Sequence, residues 1–519
     1  MYKPTKKLKL GISELINTKV HVYKGCEQLS NYIYDEILPL PEQNKLMIQL
    51  FLISTDEEYI KEIQSTLNRL LPDAHIIGAT TDGSVVYKED VNVTTISFTI
   101  FEKSKLQHTF VPFELTKEDE CGQTIAQNIL SEKTKVLILF ADGLQCNVSK
   151  LTHTIHSICP NLIIAGGLAG DNARLEKTIV CDNTLQGTQA VVALSIESDS
   201  LYVHNDYTLA WETVGKKMQI TKCHENIIYE INGLKASHIY DKYTNTRYLD
   251  HYKSSKNQPT ISIEFPLIIE RNNMNIARVT MKVNEDGSLF CTGDFVEGDT
   301  LSFSFTDTTK IIKSGVELSR RMLKVPVQTI FIYSCMARRR FMGENIIHDL
   351  EPLQKIAPVS GFYSYGEIYT TSQSIEMLNH TMTILALSEE DEIYIPKIHE
   401  PAPMYSKSAQ TLNVLSSLIS TSKNPIPEAN ALQYQAKTKE LYLNAQKIKM
   451  SKSETKLFDL LFHNTDAAID SQTIFSHVFE DTDKEFNTNA IRSLVKKLRK
   501  KLPVNSIENL YGGYYRLIK

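Results

Sequence analysis

The sequence predicts two folds in one chain: a mixed α/β (α+β) region assembled from repeated strand-helix-strand-strand modules, then a small basic domain of three helices closed by a β-hairpin. Three observations carry this. One order of hydrophobic periods recurs three times before residue 390, a proline-bearing stretch follows it, and the tail reverses the sign of the charge. A chain of 519 residues also exceeds what one core organises, so several domains are expected. The boundaries expected are 1–215 and 216–390 for two parts of the α/β region, 391–438 for a linker with a short helix, and 439–519 for the basic domain.

The first module reads Met47 to Ser54 as a strand, a helical stretch up to Pro72, the turn Gly78-Ala-Thr-Thr-Asp-Gly83, and a strand from Thr94 to Phe101. In the second, Val136 to Phe140, a helix and Pro160 lead to Ala165-Gly-Gly-Leu-Ala-Gly-Asp171, then to Ala190–Ser195. The third runs from Gln328 to Ser334, through a helix and Pro358, to Gly361-Phe-Tyr-Ser-Tyr-Gly-Glu367 and then Thr381–Ser388. Glycine in such loops serves a tight turn or a close backbone approach, and three equivalent loops on one scaffold can line a shared cleft.

Between Glu389 and Thr438 stand Pro396, Pro401, Pro403, Pro425 and Pro427, the mark of a connection between domains. Within it Leu412, Leu415 and Ile419 share one face of a short helix, which could serve a homodimer contact or pack on the preceding region.

From Leu441 onward the chain holds 13 Lys and Arg against 9 Asp and Glu, leaving 43 against 52 before it. Short strands are expected at Glu440–Leu443 and Lys447–Met450. Ser451-Lys-Ser-Glu454 ahead of Leu457, Phe458, Leu460 and Leu461 is a capping box opening a first helix. A second helix begins near Asp470. A third runs from about Thr488 to Leu502 and stops before Pro503, with Ile491, Val495, Leu498 and Leu502 forming an apolar stripe. Opposite that stripe lie Asn489, Ser493, Lys496, Lys497 and Lys500, flanked by Arg492, Arg499 and Lys501. Such a helix packs on its own domain while offering amide, hydroxyl and cationic groups to a groove and its phosphates. Two β-prone stretches around Gly512-Gly513 read as a terminal hairpin.

These last residues resemble the OmpR/PhoB family of winged-helix DNA-binding domains. The resemblance rests on Met450-Ser451-x-x-Glu454, Val495-Lys-Lys-Leu-Arg-Lys-Lys-Leu502 and Tyr515-Arg516-Leu517. In the wing, Asn509-Leu510-Tyr511-Gly512-Gly513-Tyr514-Tyr515 departs from the family's Thr-Val-Arg-Gly-x-Gly-Tyr, with Tyr511 in place of the arginine and one glycine fewer. The resemblance implies double-stranded DNA as partner and adds Tyr511 and Arg516 to the contact residues.

Residues 30–390 resemble the FIST sensory family. The matching text includes Phe140-Ala-Asp-Gly143, Ala165–Asp171, Trp211-Glu-Thr-Val-Gly215, Phe265-Pro-Leu267, Asp286-Gly287, Gly293-Asp294, Ser334-Cys335-x-x-Arg338, Gly361–Glu367 and Asn379-His-Thr381. It implies a small-molecule sensor without catalytic activity, its ligand amino-acid-like. Candidate ligand residues are Gly166, Gly167, Asp171, Cys335, Arg338, Tyr363, Ser364, Tyr365, Glu367, Asn379 and His380. Arg338 is expected to fork onto a ligand carboxylate, while Arg339 and Arg340 read as surface charge.

Other chemistry is disfavoured. Neither a G-x-x-x-x-G-K-[ST] loop nor a G-x-G-x-x-G loop nor a G-x-S-x-G elbow occurs, and no catalytic role is expected. His153, His156 and Cys159 share a helix face near Cys146 without a second ligand pair, so no metal is expected. Some FIST-type sensors are associated with haem, which makes a haem-based gas or redox sensor one alternative, though no C-x-x-C-H attachment is present. A signalling scaffold whose tail binds protein or RNA is another. No cofactor is expected. The eight cysteines form no C-x-x-C pair, no apolar run approaches the roughly 18 residues of a membrane span, and the lysines of Met1–Leu10 precede no apolar stretch. The expectation is a cytoplasmic one-component regulator.

Overall fold

The computed structural model describes residues 8–10, 15–40, 43–85, 91–244, 263–371, 374–395, 432–435, 438–443, 446–464, 468–480, 486–502, 506–510 and 514–517. The chain divides into two compact units, Met1–His399 and Glu400–Lys519. The helix expected around Leu412, Leu415 and Ile419 and the turn at Gly512-Gly513 lie outside the described residues.

The three predicted modules are built alike. In the first, the strands Leu46–Leu52 and His75–Thr80 run parallel, joined by the helix Glu57–Leu70, and Thr95–Phe101 returns antiparallel on the other side of Leu46–Leu52. Every residue of Leu46–Leu52 is buried, as a central strand covered on both faces requires. Asp56 caps the helix, its carboxylate accepting the Glu58 N–H at 3.0 Å. In the second module Thr134–Ala141, the helix Val148–Ile158, Ile163–Leu168 and Ala190–Glu197 repeat the plan. The third uses Thr329–Cys335, two short helices Met336–Met342 and Ile346–Gln354, Val359–Ser364 and Thr381–Ser388. Four rings meet at the centre: Phe362 lies 5.2 Å from Phe51 and 5.3 Å from Phe140, and Phe140 lies 5.9 Å from Tyr333. Each module's first strand thus supplies one aromatic to a common core.

Gly166 and Gly361 occupy one position of the repeat, opposite Leu139 and Ile332 in the first strands of their modules. Both have positive φ, +140° and +152°, and a Cβ would lie 1.9 Å from the Leu139 carbonyl oxygen and 1.8 Å from that of Ile332. Only glycine lets the parallel strands approach this closely.

Two parts of the region exchange strands. Tyr202–Leu209 pairs along its whole length with Thr381–Ser388, and the hairpin Glu367–Thr370 with Ile375–Leu378 joins the second module's sheet, Glu367 opposite Gly167. The boundary expected at 215 falls inside one strand, Glu212–His224, so it is not a structural seam. That strand opens an antiparallel sheet with its own core of Met218, Ile220, Ile228, Leu267, Ile269 and Leu301. The helix Thr308–Met322, capped by Asp307, leads from it into the third module.

In the second unit Leu432–Gln435, Glu440–Leu443 and Gln446–Ile448 form an antiparallel sheet. The first of these strands lies in the stretch expected to be linker up to residue 438. The capping box forms as predicted: the Ser451 hydroxyl accepts the Glu454 N–H at 3.3 Å, and the Glu454 carboxylate accepts the Ser451 N–H at 2.7 Å. Helices Lys452–His463, Ser471–Val478 and Thr488–Arg499 follow, and Ile507–Leu510 with Tyr514–Leu517 makes the hairpin. The third helix ends at Arg499 rather than Leu502, with Lys500 as its C-cap. Leu457, Phe458, Leu461, Ile491, Val495, Leu498, Tyr515 and Leu517 form the core beneath them.

Candidate functional site

The third helix of the second unit is two-faced. Ile491, Leu494, Val495 and Leu498 are buried, while Asn489, Arg492, Ser493, Lys496, Lys497, Arg499 and Lys500 are all exposed. The segment Thr488–Arg499 contains no carboxylate, so its outer face carries cationic and neutral polar groups alone. Asn487 caps its start through the Asn489 N–H at 2.9 Å, leaving Asn489 the first outward side chain. From Asn489 to Lys500 the exposed positions span about 16 Å of helix, and a helix of ordinary diameter fits the major groove of B-DNA.

Two predicted contacts are engaged within the unit. Arg499 donates from Nε to the Ile507 carbonyl at 3.0 Å, tying the helix to the hairpin, and Arg516 pairs with Glu508 at 2.6 Å. Tyr511 lies outside the described residues. Lys501 is structural: its ammonium reaches the Glu454 carboxylate at 2.7 Å and the Lys449 carbonyl at 3.0 Å.

In the first unit the three glycine loops come together. The Gly170 N–H donates to the Thr80 carbonyl at 2.8 Å, the Asp82 N–H to Tyr363 at 3.0 Å, the Tyr363 N–H to Gly83 at 2.8 Å, and the Tyr365 N–H to Leu168 at 3.1 Å. Several predicted ligand residues are occupied in holding this junction. Gly166 and Gly167 serve strand packing, a Cβ on Gly167 meeting Ser364 at 3.0 Å. The Asp171 carboxylate accepts the N–H groups of Leu175, Glu176 and Lys177 and the Tyr365 hydroxyl. The Asn379 amide donates to the Tyr365 carbonyl at 3.2 Å. Arg339 and Arg340, read from sequence as surface charge, instead converge on the buried Asp82 at 2.8 and 2.7 Å. The wholly buried Asp82 carboxylate needs both.

Arg338 also departs from expectation. Its guanidinium fork lies fully buried and grips Asp349 of its own chain, Nε–Oδ2 at 2.7 Å and Nη2–Oδ1 at 2.9 Å, so the fork is not available to a ligand carboxylate. Gly315 makes room for it, since a Cβ there would meet the Asp349 carboxylate at 2.8 Å. The remaining nitrogen, Nη1, is buried with no partner among the described residues. The same is true of the Tyr363 hydroxyl, the Trp211 indole nitrogen and His380 Nδ1. The Trp211 and His380 rings meet edge to face at 4.6 Å, and the charge of Arg338 acts on Tyr363, Glu367 and His380. An unmade buried hydrogen bond costs about 1–3 kcal/mol, so these four groups are costly to leave unmet.

Around them sit Cys335, whose thiol burial pushes up, and Glu367, fully buried and pushed up to about 8 by that burial. The Ser364 and Thr381 hydroxyls each lie 2.7 Å from a Glu367 oxygen, so that with Glu367 protonated one of them donates to its carbonyl oxygen and the other accepts its proton. Burial holds His380 down at about 4, so its ring is neutral near pH 7; Nε2–H donates to the Ile263 carbonyl at 2.9 Å and Nδ1 is a lone-pair acceptor. His380 also sits at φ +60°, a conformation that is uncommon outside glycine and points to a constraint on this turn. A haem iron finds no exposed ring nitrogen there: the imidazole is wholly buried against Trp211, with Nε2 already bonded to the Ile263 carbonyl. Among the described residues no group of three or more His, Cys, Asp or Glu side chains could hold a metal. Sequence reasoning missed Trp211 and Asp349 as members of the cluster, although Trp211 is the chain's single tryptophan.

Three family models match successive stretches of the chain. The FIST N domain matches residues 47–234, the FIST C domain residues 236–370, and the C-terminal domain of transcriptional regulatory proteins residues 445–517. Among solved structures, the DNA-binding domain of Bacillus subtilis CssR is 24% identical over 17% of this chain and 100% of its own, with a TM-score of 0.16. The DNA-binding domain of CpxR from E. coli is 22% identical over 18% of this chain and 98% of its own, TM-score 0.16. That of the response regulator AdeR, solved with an intercistronic region, is 20% identical over 18% and 97%, TM-score 0.15. No curated protein matches the chain. Among the described residues no helix is long and apolar enough to cross a membrane.

Proposed function

Because the chain joins a FIST sensory module to a winged-helix DNA-binding domain of the OmpR/PhoB type, we propose that it is a cytoplasmic one-component transcription regulator, in which a small molecule held by the FIST region sets the affinity of the winged helix for promoter DNA. The observation that carries the DNA half is the third helix, apolar beneath and cationic outside, with Lys496, Lys497 and Lys500 in register on its open face. Lysines there contact phosphates, while Asn489, Arg492 and Ser493 near the helix start stand where base edges are read. Arg499, held by the hairpin carbonyl, fixes the register of helix against wing.

The input half is supported by the buried cluster around Arg338. A ligand shifts a conformational equilibrium only by its differential affinity for the two states, commonly about 1–3 kcal/mol of coupling, or roughly 5- to 150-fold in promoter affinity. The resemblance to FIST sensors implies an amino-acid-like ligand. A homodimer through the stretch containing Leu412, Leu415 and Ile419 would let two winged helices address successive half-sites.

The test is fluorescence anisotropy of the full-length protein with duplexes from its native upstream regions against random duplex, over a salt series and with a metabolite panel. Preference for one native duplex, altered by a metabolite, is the expected result. Equal binding to native and random DNA would remove the regulator reading and leave a scaffold whose tail contacts RNA or protein.

A further inference from the structure

We propose that the buried groups Trp211, Arg338, Tyr363 and His380 bind a small ligand without net charge, one that presents carbonyl-type oxygen acceptors together with an N–H donor: an amide, a lactam or a nucleobase-like ring rather than a carboxylate. The inference rests on the sensory reading above and sets an uncharged ligand in place of the amino-acid-like one that the resemblance implies.

The donor inventory sets the acceptors. Trp211 Nε1 and Arg338 Nη1 can only donate, and the Tyr363 hydroxyl can do so; all three are buried and unpartnered among the described residues. His380 supplies the opposite function, because its proton is fixed on Nε2 by the Ile263 carbonyl and Nδ1 therefore accepts. A ligand that satisfies them must offer oxygens to three groups and an N–H to one.

The charges set the rest. The positive charge of Arg338 is already cancelled by Asp349, bound through two nitrogens in the same dry interior. The imidazole of His380 is neutral, and Glu367, gripped by Ser364 and Thr381, stays protonated near pH 7. A carboxylate entering this environment would be a buried charge with no counterion left to it, whereas a neutral carbonyl accepts the same hydrogen bonds without that cost. A zwitterion would desolvate two charges where one ion pair is already complete.

Trp211 makes the site observable, since it is the only tryptophan in the chain. The experiment titrates the full-length protein with uracil, 2-pyrrolidone and nicotinamide, and separately with acetate, glycine and glutamate, following tryptophan fluorescence. A saturable change with at least one uncharged probe, and none with the carboxylates, is expected. Saturation by acetate, glycine or glutamate alone overturns the ligand class while leaving a sensor, and silence with all six overturns the site.

Two variants keep the result from resting on fold loss. Tyr363→Phe removes a hydroxyl with no partner among the described residues, so the melting temperature should hold or rise while probe affinity falls about tenfold. His380→Asn keeps a side chain that tolerates the positive φ of the turn and, with its melting temperature read alongside, should weaken the response. Unchanged affinity in both variants overturns the proposal. Probe binding that leaves promoter affinity unaltered supports the site and sinks its coupling to DNA, so the two readings fail separately.

Discussion

Replacing Lys496, Lys497 and Lys500 together by alanine separates a DNA-reading helix from a merely soluble one. All three positions are exposed, so truncation deletes no core packing. Alanine is the better helix former, offsetting the loss of favourable cation placement in the last turn, worth about 0.3–1 kcal/mol at each site at low salt. The melting temperature should therefore move little. Each lysine–phosphate pairing that is removed lowers the slope of log affinity against log salt by about 0.9, so three lower it by roughly 2.7. Across a fourfold rise in salt the variant should lose affinity roughly 40-fold less steeply than the parent. Anisotropy with a native promoter duplex, in parallel with a circular dichroism melt, measures both. Lys501→Ala is the internal control: Lys501 holds Glu454 and the Lys449 carbonyl, so this change should cost about 1 kcal/mol of stability and leave the salt slope alone. A triple variant that keeps its fold and its parent's slope would refute the assignment of this face to DNA.

Glu367 and His380 predict a pH profile for the FIST region. Glu367, raised by burial from 4.5 to about 8, keeps its proton when folded, so its contribution is present below pH 4.5 and lost as the pH rises toward 8. His380, lowered by burial from 6.5 to about 4, acts oppositely, its contribution present above pH 6.5 and lost as the pH falls toward 4. The two offset each other between pH 4.5 and 6.5, and between 6.5 and 8 Glu367 alone should remove about 2 kcal/mol, a fall in denaturant midpoint that Glu367→Gln should abolish. Asp349→Ala leaves the Arg338 guanidinium buried without its partner and should cost about 3–5 kcal/mol, read as a lowered melting transition of the first unit with the second unaffected. Gly361→Ala drives a Cβ into the Ile332 carbonyl at 1.8 Å and should yield insoluble protein, whereas Gly25→Ala, with nothing within 4 Å, should express normally despite its φ of +134°.

What the sequence discloses here is what neighbours in the chain decide. The capping box at Ser451 and Glu454, the stripe from Ile491 to Leu498 and the strand-helix-strand order of the modules are local patterns with a fixed period, and the structure carries them. The partner of a charge is not local. Arg338 reads as a free fork until Asp349 is brought beneath it by two short helices, and Arg339 and Arg340 read as surface until Asp82, 257 and 258 residues away, is folded against them. The strand exchange has the same cause, since hydrophobic alternation specifies a strand without specifying its neighbour. Ligand candidates chosen from glycine loops consequently mixed groups engaged in holding the loops, such as Gly166, Gly167 and Asp171, with the unpartnered ones. The latter are told apart only by which hydrogen bonds remain unmade.

The exchange of strands also sets a clock on synthesis. Among the described residues Tyr202–Leu209 has a single strand neighbour, Thr381–Ser388, which leaves the ribosome some 170 residues later. At roughly 5–20 residues per second that is a wait of about 10–30 s with an open edge. Its sequence, Tyr-Val-His-Asn-Asp-Tyr-Thr-Leu, suits the delay: seven of the eight positions remain only half-buried even in the finished fold, and Asp206 places a charge midway along it. The nascent edge is thus too polar to recruit a copy of itself from a neighbouring polysome before its own partner arrives.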